Sequence, residues 1–106
     1  MTTTAARPEI RDVARQLVAD NLEAEPAIRA VYLFPSGEQI RLVYLDPTTS
    51  PNRDEETVRP FYFGPSVAGD RPYPLAVALI RPEERGRLQP PAGWGAWDEA
   101  ELLWEA

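Results

Sequence analysis

The chain has 106 residues, eleven bases against seventeen acids for a net charge of −6, and no cysteine, histidine or lysine. That length fits one domain, and 43% hydrophobic with 26% charged residues excludes wholesale disorder. The missing side chains remove the thiol and amine nucleophiles, the imidazole general base and every imidazole or thiolate metal site, so no catalytic residue, metal ligand or cofactor is expected.

All the bases are arginines, and they are unevenly opposed: residues 1–53 carry six against seven acids, residues 54–106 five against ten. An acidic field of this kind opposes binding to nucleic-acid backbone or an anionic membrane and favours basic protein surfaces. The opening MTTTAARPEIRD has no apolar signal region, and the longest apolar run, Leu75 to Ile80, is far too short to span a bilayer. A soluble, cytoplasmic protein is the expectation.

Residues 1–7 read as a flexible tail, and 8–106 as a single domain. From Pro8 to Glu25, Ile10, Val13, Ala14, Leu17, Val18 and Leu22 recur at spacings of three and four. This is the stripe of an amphipathic helix with one face to bury, opened by Pro8 and stopped by Pro26. Ile28 to Phe34 and Gln39 to Leu45 are β-branched and aromatic runs separated by Pro35-Ser36-Gly37, the signature of a hairpin. A polar loop, Asp46 to Glu56, leads to a third strand, Val58 to Phe63. Pro60 cannot donate to a ladder, so this strand belongs near an edge. Tyr73 to Ile80 is the fourth strand, and Pro82 to Gly86 a short helical turn.

The predicted fold is α+β: one N-terminal amphipathic helix packed on a four-stranded or five-stranded antiparallel meander sheet, followed by an irregular Trp-rich C-terminal segment. Strands one, two and four are apolar on both faces, as in Ala30, Tyr32 and Phe34 against Val31 and Leu33. A sheet with one wet face alternates more cleanly than this. One helix covers one face, so something else must cover the other.

The tail PPAGWGAWDEAELLWEA is the best-supplied candidate, since it holds all three tryptophans, Trp94, Trp97 and Trp104. Packed back on its own sheet, each ring buries a large apolar area. Left exposed, the same acidic-aromatic peptide is bait for a basic groove. Asp98 to Glu105 reads either way: Trp97, Ala100 and Trp104 fit the helical period, and Ala100, Leu102 and Trp104 the strand period.

Two motif likenesses fail on their own residues. Gly64 to Gly69 has the outer spacing of a phosphate loop, but Asp70 and Arg71 stand where lysine and a hydroxyl belong. Arg59-Pro60-Phe61-Tyr62-Phe63 has the base and alternating aromatics of an RNA-stacking strand, in the wrong element order and an acidic chain. The acids cluster in runs, Asp54-Glu55-Glu56, Glu83-Glu84 and Asp98-Glu99, which read as solvated loops and helix starts.

The leading functional expectation is a small non-catalytic protein-binding module, an adaptor, regulator or accessory subunit, which meets a protein partner or a second copy of itself through whatever apolar face stays uncovered. The alternative is a small-molecule or anion-binding protein, or a carboxylate-dependent enzyme, with a pocket beside the Trp-rich segment. The candidate binding residues are Arg59, Tyr62, Arg71, Tyr73, Trp94, Trp97 and Trp104. Arg53, Arg59 and Arg71 flank strand three and form one possible anion clamp, and Arg81, Arg85 and Arg87 a second cluster. A third possibility is an acidic mimic of nucleic acid that blocks a basic partner.

Overall fold

The computed structural model describes residues 9–53, 56–64 and 73–106. One helix, α1 (Ile10–Ala24), lies against a five-stranded sheet of β1 (Ala30–Phe34), β2 (Ile40–Leu45), β3 (Phe61–Phe63), β4 (Leu75–Ile80) and β5 (Glu101–Glu105). The α+β class and the helix-on-sheet arrangement are as expected from the sequence. Pro8 lies outside the described residues, and the helix ends at Ala24, where the Glu25 N–H bonds Asn21 O and Pro26 bars another turn.

The strand order is β3-β4-β2-β1-β5, which corrects the antiparallel meander. β1 and β2 form the expected hairpin, Ala30 opposite Leu45 and Phe34 opposite Arg41. β4, however, lies parallel to β2, from Ile40 beside Leu75 to Leu45 beside Ile80, and separates β2 from β3. β3 pairs antiparallel with the far side of β4, so the sheet is mixed. A connection as long as residues 46–60 lets the chain step over a place that β4 later fills, and a parallel pair buried on both faces suits two nearly continuous apolar runs. β3 is also shorter than predicted. Val58 is drawn away to the tail, its N–H bonding Gln89 O while the Gln89 N–H bonds Glu56 O.

Alternation along the strands sorts the interior into two layers. Toward α1 lie Val31, Leu33, Ile40, Leu42, Tyr44 and Leu75, closed over by Ala14 and Val18. The Tyr44 hydroxyl accepts a hydrogen bond from Asn21 Nδ2 at 2.7 Å, pinning the helix to the sheet. Burial pushes the Tyr44 phenol up, against the smaller opposite pull of that bond.

On the other face Ala30, Phe34, Val43, Leu45, Ala76, Ala78 and Ile80 are covered by Leu88 and Trp94, with Trp97 packed beside them. The tail is therefore the lid of the second layer. Trp94 is only 3% exposed. Phe34 meets both Trp94 and Trp97 at 5.5 Å between ring centres, and Tyr32 meets Trp97 edge-on at 6.3 Å. Trp97 Nε1 donates to Leu88 O at 2.8 Å, so the half-buried indole leaves no orphaned donor. Gly93 and Gly95, at φ of +85° and +102°, supply the left-handed turns that aim the indoles inward.

The helix-or-strand ambiguity of the last residues resolves into both in succession, a 3-10 turn at Trp97–Glu99 and then β5 antiparallel to β1. A bulge at Leu103 shifts the register, so Leu102 stands opposite Tyr32 on the tail side while Leu103 and Trp104 both reach the helix-side layer. The indoles thus serve different layers. Trp94→Ala is expected to destabilise the fold by about 3–5 kcal/mol in urea titrations. Trp104→Ala, at a half-buried edge, costs less; equal losses at the two positions would contradict this division.

Candidate functional site

The larger uncovered apolar area is on the helix side; on the face opposite the helix, where the sequence placed the shortfall, the exposed large side chains are Tyr62 and Leu102 at the two edges. α1 packs chiefly on β1 and β2. Its arginine shoulder reaches β5, where Arg11 Nη2 meets Glu101 Oε1 at 2.7 Å and Arg15 Nη2 lies 3.8 Å from Glu101 Oε2. Those contacts hold α1 toward the β5 half of the sheet, so that Leu75 at the start of β4 is covered while the Leu79 end of β4 and β3 are left open. Pairing of Phe61 with Val77 and of Phe63 with Leu75 sets both phenylalanines on the helix-side face. There Phe61 is 64% exposed, Phe63 51% and Leu79 40%, beside a partly buried Val77. Apolar floor of this kind, facing water on two adjacent strands, is the feature that calls for a partner.

The residues singled out in the sequence divide between the two faces and the interior. Tyr62, 64% exposed, pairs with Ala76 and so points to the tail side. It joins Arg59 in a groove of about 590 Å³ whose wall includes Glu56, Val58 and Ala92. Tyr73 is buried in the helix-side layer, away from Tyr62. Trp94 and Trp97 sit inside the second layer, and Trp104 lines a separate apolar groove of about 390 Å³ with Arg15 and Leu22. Arg71 lies outside the described residues. Sequence reasoning quoted Phe61 and Phe63 but did not place them in the site. The available signal was three consecutive aromatics directly after Pro60, on a strand too peripheral to bury both of its faces.

Compared with known proteins, the chain matches no family model, no curated protein and no solved structure. Among the described residues no helix is long and apolar enough to cross a membrane.

The second arginine cluster is divided by its partners. Arg81 Nε binds Glu83 at 2.9 Å, and Arg87 Nη2 binds Asn52 O at 2.7 Å and Glu84 at 3.0 Å. The Arg85 guanidinium instead lies over Tyr32 at 4.7 Å and Trp97 at 5.5 Å, capping the aromatic lid. Glu84 is buried, and its carboxylate accepts from Arg81 N–H at 2.8 Å, Asn52 N–H at 2.6 Å and Asn52 Nδ2 at 3.1 Å. It thereby ties the loop after β2 to the 3-10 turn Pro82–Gly86. Burial alone would raise the Glu84 carboxyl, but the backbone bonds from Arg81 and Asn52, with Arg87 beside them, outweigh it and hold the group below its ordinary value. Because the folded state favours the charged form, the stabilisation is complete at neutral pH and drains away as pH falls below the usual carboxylate range. Glu84→Gln is expected to lose about 2–4 kcal/mol at neutral pH. In urea titrations repeated at about pH 3.5, below the ordinary glutamate value of about 4.3, the carboxyl of the unfolded chain takes up a proton more readily than that of the folded chain and the gap to the native chain narrows; an unchanged gap would contradict the assignment.

Proposed function

We propose that this chain is a small, intracellular, non-catalytic protein-binding module, an adaptor, regulator or accessory subunit, whose contact surface is the apolar face formed by Phe61, Phe63, Val77 and Leu79. The carrying observation is the exposure of two phenylalanines and a leucine on one side of adjacent strands, in a sheet whose other face is covered over its central strands by its own tail. Taking about 200 Å² for a whole aromatic side chain, these three residues alone offer roughly 300 Å² of apolar area, a patch size that on monomers is often functional. The lack of histidine, cysteine and lysine supports binding over chemistry.

The groove that brings Arg59 and Tyr62 together supports a second reading, an anion-binding pocket. It opens broadly to solvent, where a bound anion keeps most of its water and the gain from the arginine is small. The apolar face is the better-supported site.

The double variant Phe61→Ser, Phe63→Ser removes the patch while touching little of the core, so it is expected to melt within a few degrees of the native chain. Used as bait in its native host, it should lose proteins that the unaltered chain retains, as read by quantitative mass spectrometry. An identical set of retained proteins would overturn the proposal.

A further inference from the structure

We infer that the occupant of this surface is one amphipathic α-helix of a partner protein, carrying lysine or arginine along the flank that faces α1; the inference rests on the reading of the apolar face as a protein-binding site. The open floor is two strands wide. With strands about 4.8 Å apart and side chains projecting beyond the outer one, it spans roughly 10 Å, close to the diameter of one helix with its side chains. Leu75 is already buried, so the open stretch is the three residues of β3 and the Val77–Leu79 end of β4, a run of about 10 Å that two turns of a helix match in length. A second helix laid beside α1 would complete the layer that α1 begins.

Charge selects the kind of helix. Arg11 and Arg15, the only bases of α1, are turned to Glu101 on β5. Helical geometry then directs the shoulder of Val13, Leu17 and Asp20 to the opposite side, toward β4. Val13 and Leu17 are partly buried against the helix-side core, and extend the apolar floor up the wall of α1. Above them the shoulder carries Glu9 and Asp20, with Glu23 on the outer surface and, among the described residues, no base. A helix seated here therefore meets leucine-like floor below and carboxylates at one side. A second copy of this chain fits worse, since two chains of charge −6 would bring their acidic shoulders together.

The test uses three fluorescein-labelled peptides of about 18 residues, long enough to form helix on the surface: leucine and lysine at helical spacing, the same design with glutamate for lysine, and the leucine-lysine composition scrambled to remove the apolar stripe. Fluorescence anisotropy is expected to give micromolar binding of the first. Binding of the glutamate and scrambled peptides should be at least tenfold weaker. Leu79→Ser and Phe61→Ser should each weaken the first peptide tenfold, whereas Leu102→Ser, at the exposed leucine on the opposite edge and face, should leave it unchanged. Equal binding of the lysine and glutamate peptides, or a loss with Leu102→Ser, overturns the inference. Light scattering distinguishes the levels: a dimer dispersed by Leu79→Ser would overturn the helix while preserving the surface, and a monomer that binds no peptide and whose retained proteins ignore Phe61 and Phe63 would overturn both.

Discussion

The structure depends on the parallel alignment of β4 with β2 at the centre of the sheet. That pairing places Ile40, Leu42 and Tyr44 beside Leu75, Val77 and Leu79 on one face, and Val43 and Leu45 beside Ala78 and Ile80 on the other. Both faces of the central strands are therefore greasy, and a parallel pair is stable only when both are shielded from water. The chain has two covers of unequal kind. The tail is broad, bends at two glycines and spreads two indoles and Leu88 over one face. The helix is a rod one diameter wide, tied by Glu101 and Tyr44 to the β1 and β2 side. The asymmetry of the covers leaves apolar floor beneath the helix layer, over β4 and β3.

Much of this logic was legible in the sequence. The helical stripe from Ile10 to Leu22 and the runs IRAVYLF and QIRLVYL gave α1, β1 and β2 with small end errors, because helical and strand periods are local properties of the chain. Two-sided apolarity of the strands also called for a second cover, and the indoles provide it. Strand order was not legible, since periodicity is blind to which strand a strand will join. Adjacent pairing is the usual expectation, and the long connection from Asp46 to Pro60 gave no local sign that β4 would enter first.

The place of the uncovered face follows from the same limit. With β3 beside β2, the helix would have lain over the middle of the expected sheet, and the shortfall would fall behind it. With β4 between them, β3 moves one strand outward and carries Phe61 and Phe63 beyond the reach of α1. Tyr62 and Arg59 were recognisable as a pair from their spacing, whereas Tyr73, close to them in type, ends in the interior. The bulge at Leu103 is a similar case: one unpaired residue turns Trp104 from the face of Leu102 to the face of Val31, which no regular period predicts.

The two sheet edges explain why contact through a face is favoured over addition of a strand. β5 ends the sheet with Glu101 and Glu105 at its limits, and charged ends of this kind discourage an incoming strand. β3 has three residues and begins directly after Pro60, so it offers a new strand only a short ladder. Main-chain pairing at either edge is thus limited by charge or by length, while the aromatic side chains of β3 project well clear of the backbone. A partner gains more by burying Phe61, Phe63 and Leu79 than by hydrogen bonding to the few main-chain groups beside them, and that places the binding energy on the apolar floor.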